Sequence, residues 1–135
     1  MPRKLKFTIP GDPVAKPRQT RSDKWKKRPC VMKYRAWADL ARLCAKEQIG
    51  KLPDPKSILS LSLVAYFAPP ATWSAKRRTA ALGTLHRQRL DADNALKCAS
   101  DALFEEDCAI AEMHVRKVWG EPARVEIEIT VEDQE

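Results

Sequence analysis

A chain of 135 residues, 44% hydrophobic and 32% charged, is long enough for one modest core and reads as a single globular domain over 1–135, neither disordered nor fibrous. No apolar run approaches the roughly 20 residues of a bilayer span. The basic start Met1-Pro2-Arg3-Lys4-Leu5-Lys6 lacks the apolar stretch of a secretory signal, so no membrane association and a cytoplasmic location are expected. The net charge of +7 is unevenly placed: residues 1–52 hold fifteen Lys/Arg against four Asp/Glu, residues 53–97 seven against three, and residues 98–135 three against eleven. A basic front and an acidic tail suit a polyanionic partner, nucleic acid before an acidic membrane, although a solvated basic surface accounts for the charge equally well.

The first element is a short strand, Lys6-Phe7-Thr8-Ile9, stopped by Pro10-Gly11-Asp12-Pro13. A proline- and charge-rich loop follows, from about 16 to 29. From Met32 to Gln48 the apolar positions Trp37, Leu40, Ala41 and Cys44 recur at helical spacing, with Gly50 as a stop. Ile58 to Phe67 alternates as a strand, and Leu59, Leu61, Leu63, Ala65 and Phe67 are expected on one face. A short helix is predicted around Ser74 to Leu82. Ala92 to Phe104 is a second helix, with Ala92, Ala95, Leu96, Ala99 and Leu103 on one stripe. Met113–Trp119 and Arg124–Val131 are two closing strands joined by Gly120-Glu121-Pro122; in the last, Val125, Ile127, Ile129 and Val131 face inward. The order β-α-β-(α)-α-β-β predicts an α/β (α+β) fold, a small mixed sheet of about four strands with two to three helices packed on it. The cysteines Cys30, Cys44, Cys98 and Cys108 form no C-x-x-C pair, and with His86 and His114 the only histidines, zinc has no ligand pattern. Reduced thiols are expected.

Chemistry concentrates at the start of the second helix. Asp91 and Asp93 sit two apart at a loop-to-helix boundary, where extended backbone projects both to one side and both could reach one hard cation. Asp93 and Lys97 fall about 40° apart around the helix, off the apolar stripe. An N-cap at Asp93 and an ordinary i,i+4 surface pair account for these two residues, but not for Asp91. A third acidic group, Glu105-Glu106-Asp107, follows the helix, although acids there oppose its dipole. Arg87 and Arg89, downstream of Lys76-Arg77-Arg78, place the acids inside a positive field, as phosphodiester hydrolysis requires.

Arg89-Leu90-Asp91-Ala92-Asp93-Asn94-Ala95-Leu96-Lys97, then Asp101-Ala102-Leu103, then Glu106-Asp107, resembles the central motif of the RusA-type Holliday junction resolvases. The preceding Ile9-Pro10-Gly11 and Lys16-Pro17-Arg18 agree in order. The resemblance implies a homodimer acting on four-way DNA junctions, making paired nicks with Mg²⁺, or with Mn²⁺ in its place. By residue match, Asp91, Asp93 and Asp107 are the metal-binding carboxylates and Lys97 the essential lysine; Asp101 also matches a common family position. The residue between the aspartates is Ala92, where the family usually carries a larger apolar side chain. The stretch from Leu103 to Glu106 is shorter than the family's turn, which leaves Glu106 as the alternative third ligand.

Lys16, Arg18 and Arg21, with Lys24, Lys26, Lys27 and Arg28, are expected on DNA phosphates, as are Lys76, Arg77, Arg87 and Arg89. Trp25 and Trp73 are expected in packing, with base stacking the alternative. Two other functions fit the same residues: a basic DNA-binding protein without catalysis, and a phage metal nuclease acting on other branched DNA.

Overall fold

The computed structural model describes residues 2–18, 22 and 27–132. Its order is β1 (Arg3–Pro10), α1 (Pro29–Ile49), a 3-10 turn (Pro55–Ser57), β2 (Ile58–Phe67), α2 (Ala75–Ala81), α3 (Ala92–Leu103), β3 (Met113–Trp119) and β4 (Arg124–Val131). The strands form one four-stranded mixed sheet in the order β1-β4-β2-β3. The α+β fold expected from the sequence is the one observed.

The last strand lies inside the sheet. β4 is antiparallel to both β1 and β2, and β2 is parallel to β3. The two closing strands therefore do not pair with each other: β2 lies between them. A parallel pair needs a long crossover, and residues 68–112 supply it, carrying both α2 and α3. Registered rows cross the sheet, such as Ile9, Val125, Ala65 and Lys117. Three of these are apolar core residues and the fourth is a lysine.

Helices α1 and α3 cover the face formed by Phe7, Ile9, Leu61, Leu63, Ala65, Val125, Ile127 and Ile129. α1 starts with Pro29 in its first turn, where a missing N–H costs nothing. It stops at Gly50, whose φ of 80° suits only a residue without Cβ. Small buried residues on both helices, Ala38, Ala41 and Ala45 against Ala95, Ala99 and Ala102, let them pack closely. The Arg42 guanidinium adds a hydrogen bond of 2.9 Å to the Ala102 carbonyl.

One strand residue departs from the expected alternation. Pairing of β2 with β4 jumps from Ile58/Val131 to Ser60/Thr130, and this irregularity turns Leu59 outward, 42% exposed, while Ile58 is buried. An extra residue in one strand reverses the facing of its neighbours, which periodicity cannot register. Within the stripe predicted for α3, Ala92 and Leu96 are only half-buried, and Cys98, Ser100 and Ala102 share the buried face. The free edge of β3 is covered by residues 83–86, through Gly83 N–H to Trp119 O, Trp119 N–H to Thr84 O and His86 N–H to Lys117 O, each 2.9 Å. All four cysteines are free thiols, Cys44 and Cys98 buried, Cys30 and Cys108 exposed.

Candidate active site

The sheet edge places the start of α3. Lys117, on the inner face of β3, directs its ammonium into the turn ahead of the helix and donates to the carbonyls of Gln88 and Leu90. Leu90 packs against the core. Next to this anchor, His86 stacks on Phe67 at 3.8 Å between ring centroids and meets Trp119 edge-on at 4.4 Å. His86 is 5% exposed, and its Nδ1 has no hydrogen-bond partner among the described residues. Burial, and then the nearby Lys117 charge, hold its pKa below the usual imidazole value. The turn that delivers Asp91 is thus pinned by a strand-edge pairing, a ring stack and an ammonium.

Asp91, not Asp93, is the N-cap of α3. Its backbone is extended, its carbonyl accepts the Ala95 N–H at 3.0 Å, and its side chain makes no capping bond. Asp93 lies in the first helical turn, also exposed. Both carboxylates therefore stand at the N-terminal, positive end of the helix dipole. Neither makes a salt bridge or side-chain hydrogen bond among the described residues.

Lys97 does not pair with Asp93. Its Nζ lies 3.4 Å from Asp101 Oδ1, one turn further along α3. The other oxygen of Asp101 takes the ammonium of Lys16, from the loop between β1 and α1. The Lys16 peptide is held as well: its N–H donates to Asn94 Oδ1 at 2.8 Å, and Asn94 Nδ2 donates to its carbonyl at 3.3 Å. Beneath this group lies Cys98, whose thiol burial pushes up to about 12, with Lys16 lowering it and Asp101 raising it. The Tyr34 hydroxyl is shifted upward too, by burial first and then by Cys98 and Asp101.

The third acid stands apart from the pair. Asp107 lies beyond the C-terminal end of α3, half-buried, with its carbonyl accepting the Ile110 N–H at 3.0 Å. Glu105 and Glu106 line an open groove with Lys51 and Lys56 instead. Among the described residues no three acidic, histidine or cysteine side chains converge on one point. Asp91 and Asp93 alone still fit a hard cation of the magnesium type, which is usually held by one or two carboxylates with waters and substrate phosphates completing the shell.

Of the residues expected on DNA, Arg18, Lys76, Arg77, Arg87 and Arg89 are exposed. Arg77 lies over the Trp73 ring at 3.7 Å, and Trp73 tilts against Trp119 at 5.0 Å, so this tryptophan packs. Lys16 is turned into its pair with Asp101. Arg21, Lys24, Trp25 and Lys26 lie outside the described residues. Lys117 and His86 have no site role in the sequence reading, and Asn94 enters it only as part of the acidic motif. Lys117 had one readable signal, a lysine on the apolar side of a strand whose alternate residues are Met113, Val115 and Trp119.

Two carboxylates without side-chain partners among the described residues, one helical turn from Lys97 and preceded by the exposed Arg87 and Arg89, are suited to a polyanion whose ester bonds are to be opened. The comparison with known families agrees with that class. The profile of the endodeoxyribonuclease RusA family matches residues 10–130, and the chain belongs to this family of endodeoxyribonucleases. No curated protein matches it. Among the described residues no helix is long and apolar enough to cross a membrane.

Proposed function

We propose that this chain is a magnesium-dependent, structure-selective endodeoxyribonuclease that resolves four-way DNA junctions by paired symmetric nicks, working as a homodimer. The observation that carries the reading is the state of the acids: Asp91 and Asp93 are both exposed at the start of α3 without side-chain partners among the described residues, while Lys97, one turn along the helix, is engaged by Asp101. If the acids served only as a cap and a surface pair, Asp91 would cap through its side chain and Asp93 would hold Lys97. Neither contact is present.

Each residue then has a role the chemistry requires. Arg87, Arg89, Lys76, Arg77 and Arg18, all exposed, are assigned to docking the phosphodiester backbone; Arg21 is assigned to the same role. Asp91 and Asp93 would hold the cation; Asp107, the third ligand the family resemblance implies, stands apart from them here and would have to approach for a three-carboxylate shell. When bound, the metal supplies Lewis-acid charge at the scissile phosphate. Lys97 sits where negative charge grows on the phosphate oxygens as water attacks and the P–O bond breaks. A two-fold symmetric dimer presents two such sites to the pseudo-two-fold junction.

The test is Asp93→Asn, assayed for binding and cleavage of a synthetic four-way junction with Mg²⁺. Retained binding with cleavage reduced at least about 100-fold is expected, the scale of losing one group that acts only in the transition state. Unchanged cleavage would leave a DNA-binding protein whose acids are structural. Equal cutting of linear duplex, flap and junction would remove the junction claim.

A further inference from the structure

The segment running from β1 into the loop before α1 is tied down at two points by the same device, once within β1 and once in the loop. Gln48 of α1 accepts the Thr8 N–H at 2.8 Å and donates to the Thr8 carbonyl at 2.7 Å. Asn94 of α3 does the same to the peptide of Lys16. An amide side chain matched to a peptide satisfies donor and acceptor together and fixes the register of the segment it grips. Residue 16 is therefore held against α3 by its backbone, whatever its side chain does.

Its side chain turns inward. Lys16 is 29% exposed and Asp101 20%, and the two form an ion pair. The Lys16 ammonium also lies 6.0 Å from the Tyr34 ring centroid. Lys97, on the other oxygen of Asp101, is 58% exposed and faces the solvent where substrate must arrive. One carboxylate is thus shared by a covered lysine and an open one.

We infer that Lys16 is a positioning residue for the reaction: it neutralises Asp101, so that Lys97 is aimed by that carboxylate without being neutralised by it. The trio of Lys16, Asp101 and Lys97 carries a net single positive charge, and that charge resides on Lys97 beside Asp93. Without Lys16, Asp101 and Lys97 would close into a neutral pair, and a phosphate would have to compete with a carboxylate for the ammonium. Asn94 supports the same arrangement by holding the Lys16 backbone through both its amide oxygen and its amide nitrogen. The inference rests on the nuclease reading for the role of Lys97, and it moves Lys16 away from the phosphate contacts.

The experiment separates these roles. Lys16→Met is compared with wild type for junction cleavage, for junction binding at several salt concentrations, and for thermal unfolding. The expected result is a fall of about 10- to 100-fold in kcat, with binding affinity and its salt slope unchanged. A lysine that contacts phosphate would lower that slope by about one when removed. Asp101→Asn added to Lys16→Met is expected to restore most of the lost kcat, because the amide no longer neutralises Lys97; Lys16→Arg should stay near wild type. Should Lys16→Met fail to fold, Lys16→Gln replaces it in the same comparison. A double variant no better than the single one, or a slope reduced by about one, overturns the inference. Wild-type protein that binds junctions and cuts none refutes the nuclease reading, and the catalytic role of Lys16 falls with it.

Discussion

Replacing Lys117 by methionine tests how the acid pair is held in place. The substitution keeps most of the stem and removes the ammonium that lies 2.6 Å from the Gln88 carbonyl and also holds the Leu90 carbonyl. A hydrogen bond to a charged group contributes about 1.5–3 kcal/mol. Both carbonyls lie close enough to the surface to regain water, so the loss is nearer ~2 kcal/mol than the sum of two such bonds. Methionine in the row of Ile9, Val125 and Ala65 recovers at most about one buried methylene, ~0.8 kcal/mol. With an unfolding entropy of about 2.1 cal/mol/K per residue, a 135-residue chain loses roughly 3.5 °C in Tm per kcal/mol, giving an expected fall of about 4–7 °C. The turn carrying Asp91 should loosen with it, lowering kcat about 10- to 100-fold while junction affinity stays within about threefold. Differential scanning calorimetry and single-turnover cleavage read the two effects. A Tm within about 1 °C of wild type together with unchanged cleavage would refute the claim that Lys117 holds the turn.

Gly120→Ala should lower Tm by several degrees, since a Cβ there would meet Tyr66 Cδ1 at 2.5 Å and overpacking costs about 1–3 kcal/mol. Chemical denaturation would show it as a lower midpoint at constant m, and an unchanged midpoint would mean Tyr66 swings aside at no cost. His86 links stability to acidity. Its folded pKa is depressed by burial and by Lys117, so the unfolded chain takes up the proton first. Its contribution is complete above the unfolded value of about 6.5 and is lost as pH falls below it toward the folded value. Tm of wild type is therefore expected to drop from pH 7.5 to 5.5, and His86→Phe, which preserves the stack on Phe67, to flatten that drop. A parallel pH profile in the variant would assign the dependence elsewhere.

Much of the site was legible because it is local. Asp91, Asp93 and Lys97 lie within two turns, and the start of the helix after Asp91 follows from the apolar stripe. Asp93 was a candidate N-cap along the sequence and Asp91 is the cap observed, because the two are equally good capping types and only the backbone distinguishes them. The partner of Lys97 was also out of reach. Asp93 and Asp101 are both four residues away along the helix, and the choice of Asp101 goes with a third group, Lys16, that sits in a different segment.

By itself the sequence determined the elements, the uneven charge, and the acidic motif that marks an endodeoxyribonuclease of this family. These depend on periods of two and 3.6 residues and on motif spacing, all of which are written along the chain. Only the tertiary structure decided which strands are neighbours, because β1-β4-β2-β3 is one of several orders the same four strands allow. The sheet order puts Lys117 at the edge, close enough to grip the turn before Asp91. The packing of the first loop on α3 brings Lys16 to Asn94 and Asp101, 78 and 85 residues away. Pairings over that separation leave no periodic trace, since they are selected by the burial of the whole sheet face and not by any run of residues.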